Sequence, residues 1–426
     1  MMTRLCRYWG WLRLVAAALA AMVCAAPSAH AQCNYEVTAI IQAPPCPFIG
    51  APPTRGAGMN AHGHVCGSFE DCSGGGDWGF YWTPELGFKV MPKPQGVYSV
   101  QASGINDAGY IVGSSSLTGI GFRGFIFDPQ TAQYTYMPTL HGVGNSYANA
   151  INNSNVVVGS RSIGTTGANP FNAVIWKPFE KGAPVQDLGV MNGPSSSARD
   201  GNIYSDGAGW SGSDIGVLNT RAVLWLKGKG IDLGVLPGMV QSQALGMNSV
   251  GDVVGSSAAG LLGPSQVFQW RNGTMSALLP PAGYDRITQT NINDLRQAAG
   301  RLRVSDSSIF HPYLWQHGEF YIVNKLVVVP PPEFQITSIP KVGNDGKLLC
   351  QATLNGKVVS AILTPVGVPP TDLNVDCRTN TYDLLILLEQ WGPTPTNATG
   401  GVPIADFNGD GRVDVLDLLI LLGNWG

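Results

Sequence analysis

Two stretches near the C-terminus place oxygen-bearing side chains at a spacing that suits a hard cation. Residues 372–392 read DLNVDCRTNTYDLLILLEQWG, and residues 406–426 read DFNGDGRVDVLDLLILLGNWG. Side-chain oxygens at loop positions 1, 3, 5, 9 and 12, with a backbone carbonyl at 7, wrap one Ca²⁺. In the second copy these are Asp406, Asn408, Asp410, Asp414 and Asp417, with the carbonyl of Arg412. The first copy offers Asp372, Asn374, Asp376, Asn380 and Asp383, with the carbonyl of Arg378. Position 6 must turn sharply; Gly411 turns there freely, whereas Cys377 holds it in the first copy. The first site is therefore expected to be weaker, or to be held partly by a disulfide through Cys377. Helices are expected at 384–391 and 418–425. Their LLILL cores are apolar on every face, so they must bury against one another and against a partner.

Other chemistry is thinner. His62 and His64 sit in a turn without a nearby third ligand, which a metal centre would need. Glutamate is scarce, so paired carboxylates for glycoside hydrolysis would come mostly from aspartate. Asp200, Asp206 and Asp214 cluster in one irregular segment, where turn-forming is the simpler role. No nucleophile elbow, P-loop or dinucleotide fingerprint occurs.

The elements that must position these residues come from a repeat. Residues 104–129 read GINDAGYIVGSSSLTGIGFRGFIFDP: a turn at 106–109, a strand from Tyr110, a loop and a second strand. The turn recurs with anchors at 60, 106, 152, 202, 248, 293 and 343. A second marker keeps the same beat: Trp82, Phe127, Trp176, Trp225, Trp270, Trp315 and Leu363. Several short strands per unit, at a period of roughly 40–50 residues, are what β-propeller blades need. The last unit lacks a fourth strand after 358–363, and an orphan strand, 35–40, precedes the first unit. The expectation is an all-β, seven-bladed propeller closed by pairing of these two strands, with the periodic Trp residues between blades. A small helical calcium-binding module follows it.

The chain has 426 residues, 44% hydrophobic and only 12% charged, with a net charge of −3. That composition suits an all-β secreted protein, and no basic cluster speaks for nucleic acid. Arg4, Arg7 and Arg13 precede an apolar run at 14–23 and the small-residue site Ala29-His30-Ala31, the pattern of a secretory leader. Expected boundaries are leader 1–31, propeller 32–365, linker 366–371 and module 372–426. No later stretch is long enough to span a bilayer. Six cysteines remain after the leader, an even count that points to disulfides. Cys66 and Cys72, which bracket a short loop, are the expected pair.

The repeats resemble the extracellular repeat family named for its His-Ala-Phe tripeptide. The resemblance rests on Ile151-Asn152…Val157-Val158-Gly159, on Tyr313-Leu314-Trp315, and on Asp-Leu-Gly at 187–189 and 232–234. Only His311-Pro312-Tyr313 approaches the naming tripeptide; Arg123, Asn172, Arg221 and Gln266 stand at the His position elsewhere. The family implies an exported propeller-like fold and brings no catalytic residue. The C-terminal pair resembles a type I dockerin, which implies calcium and a cohesin-like or cell-envelope partner. The expected function is an exported, non-enzymatic binding or surface-display protein, its propeller taking a glycan or protein ligand. The alternative is a polysaccharide-active hydrolase or lyase carried by the same module. A carboxylate pair facing a propeller mouth would favour the enzyme; a mouth of Ser, Asn and Gly would favour binding.

Overall fold

The computed structural model describes residues 32–426 apart from 48–49, 73, 141–143, 165–169, 213–219, 261–264 and 395–403. The expected leader lies outside the described residues. The chain forms two compact units. One is Asn34–Pro365; the other gathers Val366–Ala398 and Pro403–Gly426 with Cys33.

The larger unit is a β-propeller of seven four-stranded antiparallel sheets. Blade two shows the plan, with strands Val97–Ile105, Ile111–Leu117, Gly121–Asp128 and Gln133–Tyr136 paired in sequence order. Blades one to six are such meanders. Blade seven takes its inner three strands from Phe334–Val342, Leu348–Leu354 and Lys357–Val366, and its outer strand from Asn34–Ile41. The two ends of the propeller sequence thus share one sheet, as expected, which removes the open edge that an unclosed ring would leave. Thr38 Oγ1 lies 2.9 Å from Thr364 Oγ1 across this seam.

Five of the seven turn anchors do two jobs. Asn152 Oδ1 accepts the amides of Ser154 and Val156 at 3.0 and 2.9 Å, which shapes its own turn. Its Nδ2 donates to the carbonyl of Asn202, the next anchor, at 2.8 Å. The same bond runs from Asn60 to Asn106, Asn106 to Asn152, Asn248 to Asn293 and Asn293 to Gly343, at 2.8–3.2 Å. Blade four breaks the series: Asn202 Nδ2 donates to Asp206 Oδ2 in its own turn. The residue three after each anchor has positive φ in all seven copies. Gly fills it four times, and Asn155, Ser205 and Arg296 fill it otherwise.

The glycine ending each VVG motif has a steric reason. Every inner strand carries a bulge at the same place, for example between Ala102 and Gly104 or Ala148 and Ala150. The bulge drives a carbonyl toward the second strand. A Cβ on Gly113 would lie 2.0 Å from Gln101 O, and one on Gly159 would lie 1.9 Å from Tyr147 O. Cys350 takes this place in blade seven, beside the inner-strand bulge between Ser338 and Lys341. The periodic aromatics fill the spaces between sheets: Trp225 packs with Val158, Ala198 and Val223 of blades three and four.

The cysteines correct one expectation. Cys72 pairs with Cys46, and Cys33 with Cys377. Cys66 is a buried free thiol, as is Cys350. The physical reason is register: Cys66 sits six residues after its anchor, the place that Val112 and Val158 fill in other blades, so it belongs to the core. Burial pushes its thiol up to about 12.

Asn106 is 2% exposed and makes bonds both within its turn and to blade three. Asn106→Ala is expected to destabilise the propeller by about 2–4 kcal/mol. Asn202→Ala, which removes no blade-to-blade bond of this kind, should lose about half as much. Urea denaturation of both variants checks this; equal losses would show that the bond between blades adds nothing to the turn.

Candidate functional site

The two C-terminal loops share one hydrogen-bond scheme. In each, the position-1 carboxylate takes the amides of positions 5 and 6. Asp372 accepts from Asp376 and Cys377 at 3.2 and 2.7 Å, and Asp406 from Asp410 and Gly411 at 3.1 and 2.9 Å. The position-12 carboxylate closes the loop by accepting from positions 2 and 9. Asp383 bonds Leu373 and Asn380 at 2.7 Å each, and Asp417 bonds Phe407 and Asp414 at 2.7 and 2.8 Å. Asp376 and Asp410 likewise accept from the amides of Arg378 and Arg412, each at 3.0 Å.

The helices begin earlier than expected. α1 spans Thr381–Glu389 and α2 spans Val415–Gly423. The reason is capping. Asn380 and Asp414 are N-caps, and Asp383 and Asp417 complete capping boxes at N3. The same carboxylates that end the two loops therefore sit inside the first turns, where the helix dipole favours negative charge.

The loops differ in strain and exposure. Position 6 needs positive φ in both: Gly411 at +86° and Cys377 at +64°. Position 4 needs it too, at Gly409 (+71°) and Val375 (+56°), a β-branched residue for which this conformation is costly. Cys377 is fixed there by its bond to Cys33. Asp372, Asn374, Asp376 and Asp383 are buried, whereas Asn408 and Asp410 are exposed. Burial, with neighbouring carboxylates, pushes Asp383 up to about 7 and Asp372 up to about 6. Buried carboxylates crowded into a shell of hard oxygen donors fit Ca²⁺, whose charge would relieve both penalties. Cys33, Asp372 and Cys377 also converge, but the two sulfurs are bonded to each other and are not ligands.

Each helix buries one stripe and exposes another. Leu384, Leu387, Leu421, Leu373, Ala405 and Val413 form the module's small core. Leu385, Leu388, Leu416, Leu419 and Leu422 stay exposed, from 37% to 59%. Leu385 and Leu388 match Leu419 and Leu422 across the duplication, so both copies present the same apolar face.

The propeller mouth is a polar ring. The anchors of all seven blades line a cavity of about 160 Å³, with Asp107, Asp200 and Asp294 from alternate blades. Each carboxylate is taken up by structure. Asp107 accepts from Ala61 N and Asn153 Nδ2, and Asp294 from Ser249 N and Asn344 Nδ2. Asp200 accepts from Gly201 N and from Met247 N in the next blade. Asp206 is held by Lys227 N and Asn202; Asp214 lies outside the described residues. His62 and His64 have ring centroids 5.6 Å apart. Among the described residues no third ligand joins them. Sequence reasoning missed Asp107 and Asp294; the signal was there, since each follows an anchor Asn directly.

Residues 370–423 match the type I dockerin domain family. Among curated proteins, none matches the chain. An acylaminoacyl peptidase in complex with Z-Gly-Gly-Phe-chloromethyl ketone is similar over 81% of this chain and 55% of its own, at 10% identity and a TM-score of 0.46. This chain thus spans about half the length of that peptidase. A puromycin-hydrolysing peptidase of Mycobacterium tuberculosis is similar over 72% of this chain and 52% of its own, at 11% identity and a TM-score of 0.46. A gluconolactonase of Xanthomonas campestris is similar over 63% and 90%, at 10% identity and a TM-score of 0.34. The chain carries a type I dockerin domain at its C-terminus, behind a seven-bladed propeller.

Two outcomes are expected. Calorimetric calcium titration of the full chain should lose the second binding event in Asp417→Ala, which removes an expected ligand and the acceptor of three backbone amides together. Asp383→Ala should perturb the fold less, because Cys377 still ties its loop to Cys33. The second concerns pH. Asp372 and Asp383 have folded values raised above the usual carboxylate range, so the calcium-free loop is most stable below about pH 4 and loses stability as pH rises toward about 7. Calcium binds the ionised forms, so affinity at the first loop should fall as pH drops below about 7. Titrations at about pH 5.5 and about pH 7.5 decide it; equal affinities would contradict the electrostatics.

Proposed function

We propose that the protein is exported and works without catalysis, its propeller presenting a binding surface and its dockerin domain attaching it to a cohesin-bearing or cell-envelope assembly. The observation that carries this is the pair of exposed leucine faces on α1 and α2, repeated across the duplication in a domain that matches the dockerin family. Exposed apolar stripes on helices this short have too little core of their own to explain them, and a partner groove would bury them. Calcium acts here as a staple. It neutralises the carboxylates at the start of each helix and so holds the two faces in one arrangement.

The same reading gives residues 1–31 the role of a cleaved leader, 366–371 that of a linker, and the repeats kinship with the His-Ala-Phe family. The enzymatic alternative would need carboxylates free to exchange protons at the mouth. Asp107, Asp200 and Asp294 each accept backbone amides instead, which supports a binding role.

The test is capture by an immobilised type I cohesin. Binding is expected with calcium and not with chelator. Leu385→Asp together with Leu419→Asp should abolish it at unchanged calcium stoichiometry. Calcium-independent capture, or capture by the double variant, would count against the reading.

A further inference from the structure

Blades six and seven are joined unlike any other described pair. The connection, residues 323–333, follows the outer strand Glu319–Ile322 and precedes Phe334–Val342. It opens with a 3-10 turn at Val323–Lys325. Asn324 then grips Ile336 from both sides, donating to its carbonyl at 2.9 Å and accepting its amide at 3.0 Å. Farther on, Val328 N donates to Tyr35 O, and Leu326 O accepts from Tyr35 N, each at 2.9 Å. Pro330, Pro331 and Pro332 stiffen what remains. Val329 and Glu333 hold φ of +47° and +54°, a conformation that persists only where the surroundings enforce it.

This rigid connection walls a cavity of about 560 Å³, within the range of small-molecule sites. Its lining includes His311, Lys325, Glu333, Phe334, Gln335 and Thr353. His311 is the residue at which blade six approaches the naming tripeptide. In blade two the same position is Arg123, whose guanidinium is spent on the carbonyl of Gly144. His311 instead has Nδ1 2.9 Å from Tyr284 Oη, which fixes the ring and leaves Nε2 as its second polar atom.

We infer that this groove binds a carbohydrate. The inference rests on the binding role proposed above and assigns that role a site and a ligand class. A sugar ring offers an apolar C–H face and a rim of hydroxyls that both donate and accept. The half-exposed ring of Phe334 supplies the flat apolar surface. Lys325 donates, Glu333 accepts, Gln335 does both, and Thr353, whose hydroxyl donates to the Gln335 carbonyl, accepts. One cation and one anion balance, so the groove has no preference for a charged ligand. Lys325 and Glu333 stand on a connection pinned at both ends, and Gln335 and Thr353 on strands of blade seven, so little ordering is needed on binding.

The test is saturation-transfer NMR and calorimetry of the full chain with soluble glucan, xylan and mannan oligosaccharides. At least one series is expected to bind, and Phe334→Ala to weaken it roughly tenfold or more. Phe334→Tyr, which keeps the ring, should restore binding, and His311→Ala should weaken it at an unchanged melting temperature. Failure of every oligosaccharide to bind the unaltered chain would overturn the inference, as would binding that survives Phe334→Ala. If cohesin capture stays calcium-dependent in either case, the groove assignment alone falls. Lost capture with oligosaccharide binding intact would sink the attachment reading and leave the groove standing.

Discussion

The propeller depends on one amide group used twice. An anchor asparagine sits where a strand turns back, its oxygen taking the turn's own amides and its nitrogen reaching the carbonyl of the next anchor. A buried side-chain amide must satisfy both ends or lose much of its solvation. Here both ends are satisfied only if the neighbouring blade stands at the right distance. Local turn geometry and blade spacing are therefore set by the same residue. The ring has two exceptions. Asn202 turns to Asp206, and there Asp200 reaches Met247 N of blade five instead. Gly343 has no side-chain amide, and at that junction the seam holds the ring: Ser360 and Gln351 of blade seven bond Thr54 and Gly56 of blade one.

That dependence bears on function. The groups that would make the mouth chemically active are the ones that keep the blades in register. Asp107, Asp200 and Asp294 converge on one cavity, yet each is a structural acceptor. Away from the axis, blade six departs from its siblings with His311 and a proline-rich connection.

The C-terminal domain uses carboxylates in a parallel way. Asp383 and Asp417 each end a loop, cap it through two amides and begin a helix. One cation would thereby order loop and helix together. The two copies reach the same geometry by different means. The second places glycine at both left-handed positions; the first forces Val375 and Cys377 into them and secures Cys377 with a disulfide.

Much of this was legible in the chain itself. The anchor asparagines and the aromatic beat specified seven sheets, because a turn residue and a core residue at constant spacing leave a four-stranded meander few alternatives. The orphan strand at 34–41 announced the closure, since a sheet edge needs a partner. The shared turn scheme of the two C-terminal loops was readable because local spacing fixes local geometry. What tertiary structure decided were the long-range pairings. Cys66 was expected to bond Cys72, but the register puts Cys66 in a core position and brings Cys46 to Cys72. The partner of Cys377 is 344 residues away in sequence, a distance at which spacing carries no information. Which leucines of LLILL stay exposed, and that residues 323–333 wall a groove against blade seven, also follow only from how packed elements meet.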